Sequence, residues 1–182
     1  MITLYVPALD EREANRMRDA IADDTIAVEW IDGNGAKSYS WLVNQAIRRA
    51  PHEFVLWAND RIHPTNGDIH QMVALLQDGF GFVGLYRVAF GGLWKEAVRK
   101  IGFMDEEYGN GAEDGDLLFR LGEADIAIYE AESAAYAGGT TRWWPRERPG
   151  TRESGALFYE KWGFRLQQHP PVVERLRQAG RL

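Results

Sequence analysis

Two rhythms of apolar residues alternate along the chain. Ile2 to Val6 is a short apolar run closed by Pro7, which predicts a strand. From Glu11 to Ala22, Ala14, Met17 and Ile21 fall at helical spacing behind Asp10, a suitable N-cap. Thr25 to Ile31 returns to strand character and runs into the turn sequence Asp32-Gly33-Asn34-Gly35. Ser38 to Ala50 predicts a helix with Tyr39, Leu42, Val43, Ala46 and Ile47 inward. Phe54 to Ala58 is apolar throughout, as in a strand covered on both faces. Gly67 to Asp78 carries Ile69, Met72, Val73 and Leu76 on one helical face, and Phe80 to Val88 reads as strand. Leu93, Trp94, Ala97, Val98 and Ile101 again recur at helical spacing, with Gly102 as the stop. Gly109-Asn110-Gly111 is a loop suited to positive φ, before Glu113, Asp114 and Asp116 open an apolar helix. Ile126 to Tyr129 is a late strand, and Pro171 to Gly180 an amphipathic helix with Val172, Val173 and Leu176 on its apolar side.

Strand and helix alternate through the first half, which predicts a single α/β domain with a mostly parallel central sheet flanked by helices. Ligands of such sheets bind outside the carboxyl ends of the strands. The segments 7–11, 32–35 and 59–61 all follow predicted strand ends and so converge on one crevice. A dinucleotide fingerprint would need glycines after the first strand, where Pro7-Ala8-Leu9-Asp10 stands, and no phosphate-loop motif occurs.

Composition narrows this further. A length of 182 residues with 45% hydrophobic content suits one globular core. A net charge of −6 disfavours a broad nucleic-acid-binding face, although Arg142, Arg146, Arg148 and Arg152 form a local basic patch around Trp143 and Trp144. With no cysteine, no bilayer-length apolar run and no leader-like start, the expectation is a cytoplasmic protein.

Two polar knots carry the candidate chemistry: Asn59-Asp60-Arg61 after the third strand, and Glu113-Asp114 after the glycine loop. Asn44 to Ile47, Phe54 to Pro64, Phe90 to Leu121, Gly138-Gly139-Thr140 and Lys161-Trp162-Gly163 resemble, in order, successive blocks of the family-2 type glycosyltransferases with a GT-A fold. The resemblance implies a GT-A-like sheet. It implies a nucleotide-sugar-binding half over 1–66, an acceptor and catalytic half over 80–166 with a lid near 137–153, and a tail over 167–182. It also implies transfer, with inversion, of a hexose-type sugar from a UDP-sugar to an acceptor hydroxyl.

By the same resemblance Pro7, Leu9, Glu11 and Asp32 line the nucleotide crevice, and Lys37, Asn44, Asn59, Asp60 and Arg61 lie near the donor. Asp32 could equally be a turn carboxylate, and Asn44 a loop cap. Gly91, Gly92, Trp143, Trp144, Arg142 and Arg146 fall in the acceptor and lid part; the tryptophans either stack on ligand or anchor the C-terminal segment. Asp114 matches the general base, with Glu113 as fallback, since adjacent half-buried carboxylates raise one another's pKa. Asp116 and Arg120, at i and i+4, read as a structural ion pair. Lys161 could reach a phosphate.

The chain departs from the family pattern in two places. A divalent ion, Mn or Mg, is expected at Asp60, yet Arg61 occupies the next acidic position, and Tyr136 stands where a histidine is usual. Either Arg61 replaces the ion's charge on the diphosphate, or Asp60 still holds an ion with fewer ligands, with His63 or His70 in support. The competing readings are a noncatalytic nucleotide- or carbohydrate-binding relative and a nucleotidyltransferase. The acceptor stays open among a saccharide, a lipid-linked sugar, a protein and a modified DNA base.

Overall fold

The computed structural model describes residues 1–86, 88–109, 111–131, 135–136 and 151–163. The first strand β1 (Ile2–Ala8) leads to α1 (Glu11–Ala20), β2 (Ile26–Asp32), α2 (Tyr39–Arg49) and β3 (Phe54–Ala58). There follow β4 (Ile62–His63), α3 (Asn66–Gln77), β5 (Phe82–Tyr86), β6 (Phe90–Trp94) and α4 (Lys95–Ile101). The remaining elements are α5 (Glu113–Glu123), β7 (Ile128–Glu130), β8 (Ala135–Tyr136) and α6 (Thr151–Trp162).

Six strands form one sheet in the order β2-β1-β3-β6-β5-β7. β1 runs parallel to β2 and β3, β5 parallel to β7, and β6 alone runs antiparallel to both neighbours. The carboxyl ends of β1, β2 and β3 therefore share one edge, as the sequence pattern requires. Pro7 does not stop β1: it lies within the strand opposite Ile31, beyond the last residue that pairs with β3, so its missing N–H leaves no ladder bond unmade.

Leu93 and Trp94 are the other correction. Their helical spacing with Ala97 and Val98 is coincidental, because they end β6 opposite Val55 and Phe54. The glycines before them explain the strand. A Cβ on Gly91 would lie 2.6 Å from the Trp57 ring, and one on Gly92 2.7 Å from the Met72 sulfur. Successive positions of β6 thus admit Trp57 on one face of the sheet and α3 on the other. Both glycines are buried.

Three helix ends are closed locally, those of α1 and α4 as predicted. Asp10 caps α1 through the Arg12 N–H, Ser38 caps α2 through the Trp41 N–H, and Gly102 closes α4 at φ 80°. Thr65 and Asp68 add a reciprocal capping box to α3. No described helix is long and apolar enough to cross a membrane.

Candidate active site

The crevice begins where β1 and β2 end. The Gly33 N–H donates to the Ala8 carbonyl, and the Asn34 amide nitrogen donates to Leu9's carbonyl at 3.1 Å and to Asp32 Oδ1 at 2.8 Å. Asp32 also accepts from the Asn34 N–H, so one oxygen holds the turn while the residue stays exposed at the sheet edge. Pro7 is buried in β1; Leu9 is half-buried, and Glu11 and Lys37 are exposed on the flanking segments.

The third strand contributes the Asn59–Arg61 turn. Asn59 accepts from the Arg61 N–H at 3.0 Å, and its own N–H donates to the Ala89 carbonyl, which ties the turn to the loop before β6. Asn59, Asp60 and Arg61 are all half-buried. Directly after Arg61, β4 pairs antiparallel with β8, Ile62 opposite Tyr136. The two positions at which the chain departs from the metal-binding pattern are therefore neighbours in space.

Asn44 faces elsewhere. It is fully buried in α2, donates to the Met104 carbonyl and Glu106, and accepts from the Met104 N–H. Its amide is spent on the loop that leads to α5, so it acts on the site through that loop.

The α5 N-terminus closes the crevice. Its preceding residue, Ala112, is in the left-handed region at φ 73° and supplies no side-chain cap. Glu113 is largely buried at the first helical position; burial first and the Asp114 charge second push its carboxyl up to about 7, although the Gly111 and Glu113 N–H groups oppose this. Asp114 is half-buried, and its Oδ1 accepts from the Gly115 N–H at 2.8 Å. The raised carboxyl expected in this pair thus belongs to Glu113. The phenol of Tyr39, at the start of α2, is also pushed upward, by burial first and then by Glu113 and Asp60. The charges of Glu113 and Asp60 thus both bear on the Tyr39 phenol, a relation the sequence pattern did not disclose because Tyr39 reads as an inward helical position.

Behind the site, Asp116 is fully buried and binds Arg120 Nε, Lys161 Nζ and the Trp162 indole nitrogen at 2.8, 2.8 and 2.9 Å. The Asp116–Arg120 ion pair is as expected. Lys161, which also pairs with Asp105 at 2.8 Å, holds α6 against α5 instead of facing a phosphate.

Residues 137–150, with Gly138, Gly139, Thr140, Arg142, Trp143, Trp144, Arg146 and Arg148, lie outside the described residues, as do Asn110 and the predicted helix over 171–180. The metal expectation meets a poor donor set. No group of three or more His, Asp or Glu suited to an ion occurs among the described residues. His70 is bonded to Asp23 at 2.8 Å, near the opposite end of β2 from Asp32, and His63 is exposed on β4. Among the described residues, an ion at Asp60 would therefore be held by fewer than three such ligands.

No protein-family model and no curated protein matches the chain. Solved structures match its fold. A mannosyltransferase from Pyrobaculum calidifontis, in complex with GDP-Man and Mn2+, aligns with TM-score 0.61 and 12% identity over 78% of this chain and 58% of its own. Glucosyl-3-phosphoglycerate synthase from Mycobacterium tuberculosis, with Mn2+, UDP and phosphoglyceric acid, aligns with TM-score 0.54 and 13% identity over 76% of this chain and 71% of its own. The same enzyme with Mg2+ and UDP gives TM-score 0.54 and 12% identity. The chain thus spans 58% of the mannosyltransferase's length. At these identities the likeness establishes the architecture, which is the GT-A fold.

Proposed function

We propose that the chain is a glycosyltransferase that moves a sugar from a nucleotide-diphosphate sugar, with uridine as the assigned base, to an acceptor hydroxyl. A fold alone does not fix an activity. The observation that supports the reading is the carboxylate pair Glu113–Asp114 at the α5 N-terminus, with the Glu113 carboxyl largely buried and pushed up to about 7.

The nucleoside sits outside the ends of β1 and β2, where Asp32 is exposed. The diphosphate lies by the Asn59–Arg61 turn, where the Arg61 guanidinium supplies positive charge to the leaving group. The acceptor oxygen attacks the anomeric carbon, the bond to the diphosphate oxygen breaks, and the acceptor proton passes to Asp114. Asp114 is chosen over Glu113 because its carboxylate is the more open of the two. A direct displacement of this kind inverts the sugar. The ligands bound in the neighbouring structures, GDP-Man and UDP with Mn2+ or Mg2+, support the donor class and set the titration below.

Calorimetry with UDP and with GDP, each in EDTA and in manganese, is the test. Binding that persists in EDTA and falls at least tenfold in Arg61→Ala is expected; binding only with manganese would return the ion to Asp60. Asp114→Asn should lower turnover by 10²–10⁴-fold and leave nucleotide affinity within twofold. The departure at Arg61 favours a second reading, a noncatalytic nucleotide binder. Wild-type binding without any turnover across a panel of sugar donors and acceptors would establish that reading instead.

A further inference from the structure

One face of β2 changes character toward its carboxyl end. Side chains alternate along a strand, and the unbroken register from Ile2↔Ile26 to Ala8↔Asp32 puts Ile26, Val28, Trp30 and Asp32 on the same face. Ile26 and Val28 are buried, Trp30 is half-buried and Asp32 is exposed. That face therefore emerges from the core at the edge where ligands of such sheets bind. The residue at the boundary is a tryptophan.

Trp30 is held in place. Its indole N–H donates to the Ala8 carbonyl at 2.9 Å, the same oxygen that accepts from the Gly33 N–H. Trp30 stands opposite Val6, and Ala8 stands opposite Asp32, so the indole leans along the strand toward the carboxyl end. The ring also packs against the core, which it only partly joins. The loop beyond it is equally set, because the Asn34 amide ties the Leu9 carbonyl to Asp32 Oδ1. A wall fixed before the ligand arrives loses little freedom on binding.

A half-open indole with a carboxylate two residues on, roughly 6.6 Å along the strand, suits a flat heterocycle. The indole offers a face for stacking, and the carboxylate an acceptor for an N–H on the rim. The bonds that hold the turn fall on Asp32 Oδ1, and its second oxygen is the acceptor for such an N–H.

We infer that Trp30 is the stacking wall of the nucleobase subsite: the base lies on the indole face and donates from its rim to Asp32 Oδ2. The assignment rests on the glycosyltransferase reading, which puts the nucleoside outside the ends of β1 and β2, and it adds a residue that the sequence blocks do not contain.

Two variants separate stacking from support of the fold. Trp30→Phe and Trp30→Leu both lose the bond to Ala8, but only the first keeps an aromatic face. Calorimetry with UDP or GDP, whichever the wild type binds, is expected to show affinity about tenfold lower in Trp30→Leu and within threefold of wild type in Trp30→Phe. Equal losses in the two variants would show that the bond to Ala8 is what matters and would overturn the stacking wall. Unchanged affinity in Trp30→Leu would overturn it as well. Circular dichroism checks that each variant folds, with Trp30→Met as a second ringless variant; loss of folding in both ringless variants would make the ring part of the core and overturn the assignment. Failure of the wild type to bind either nucleotide would overturn the glycosyltransferase reading, and the stacking wall with it.

Discussion

At the scale of single residues, Glu113 carries the largest electrostatic cost in the site. Its carboxyl titrates at about 7 in the folded chain against an ordinary value of 4.5. Between those values the native state holds the extra proton, so Glu113's contribution to stability is fully present below pH 4.5 and is lost as pH rises from there through 7. The expected loss is about 3 kcal/mol. Urea unfolding from pH 5 to pH 8 should show that decline in the wild type, and Glu113→Gln should flatten it. The adjacency of two carboxylates was legible in the sequence, and so was the consequence that one pKa would rise. Which one is buried was not. It depends on Ala112, whose left-handed backbone sets the direction of α5's first turn; an alanine in that conformation gives no sign in a residue pattern. Tyr39 was hidden for a related reason, since a residue on the inward face of α2 reads as core, and its ring does pack there.

At the scale of elements, α6 is joined to α5 by charge as much as by apolar contact. Phe158 and Trp162 pack on Phe119 with ring centroids 6.4 and 4.8 Å away, and Asp116 gathers Arg120, Lys161 and Trp162 beneath them. Removing one member of such a buried set strands the others. Asp116→Ala should cost ~3 kcal/mol and expose residues 151–163 to limited proteolysis before global unfolding. Asp105→Ala, which removes only Lys161's partly exposed partner, should cost under ~1 kcal/mol. Most elements were readable: β3 has its expected bounds, and the ends of α1, α2 and α3 fall within two residues of those predicted. The strand β6 was not, because Leu93-Trp94 shares the spacing of the helix that follows it, and only the pairing partners tell strand from helix there. β4 and β8 have two residues each, too short to carry a period.

At the scale of the whole molecule, the sheet sets how closely its layers approach. Gly91 and Gly92 keep that distance on opposite faces. Gly91→Ala would press on the Trp57 ring, which is pinned by its bond to Val88, whereas Gly92→Ala would press on Met72, whose thioether can swing aside. Both variants should lose about 1–3 kcal/mol, Gly91→Ala the more, as read from denaturant midpoints. The alternation of strand and helix was enough to place three strand ends on one edge, and the sheet bears this out. Which residues meet there depended on contacts between segments far apart in the chain: β4 with β8, and Asn44 with Met104.

The bond from the Trp162 indole to Asp116 has an optical consequence. An indole's emission shifts with the charges fixed around its ring, and this one donates to a buried anion with the Lys161 ammonium 5.8 Å from its ring. Undocking of α6 would carry Trp162, with Lys161 beside it, away from the Asp116 carboxylate and admit water. The chain therefore carries, as one of its seven tryptophans, a fluorophore at the joint behind the crevice, whose emission changes when the joint opens.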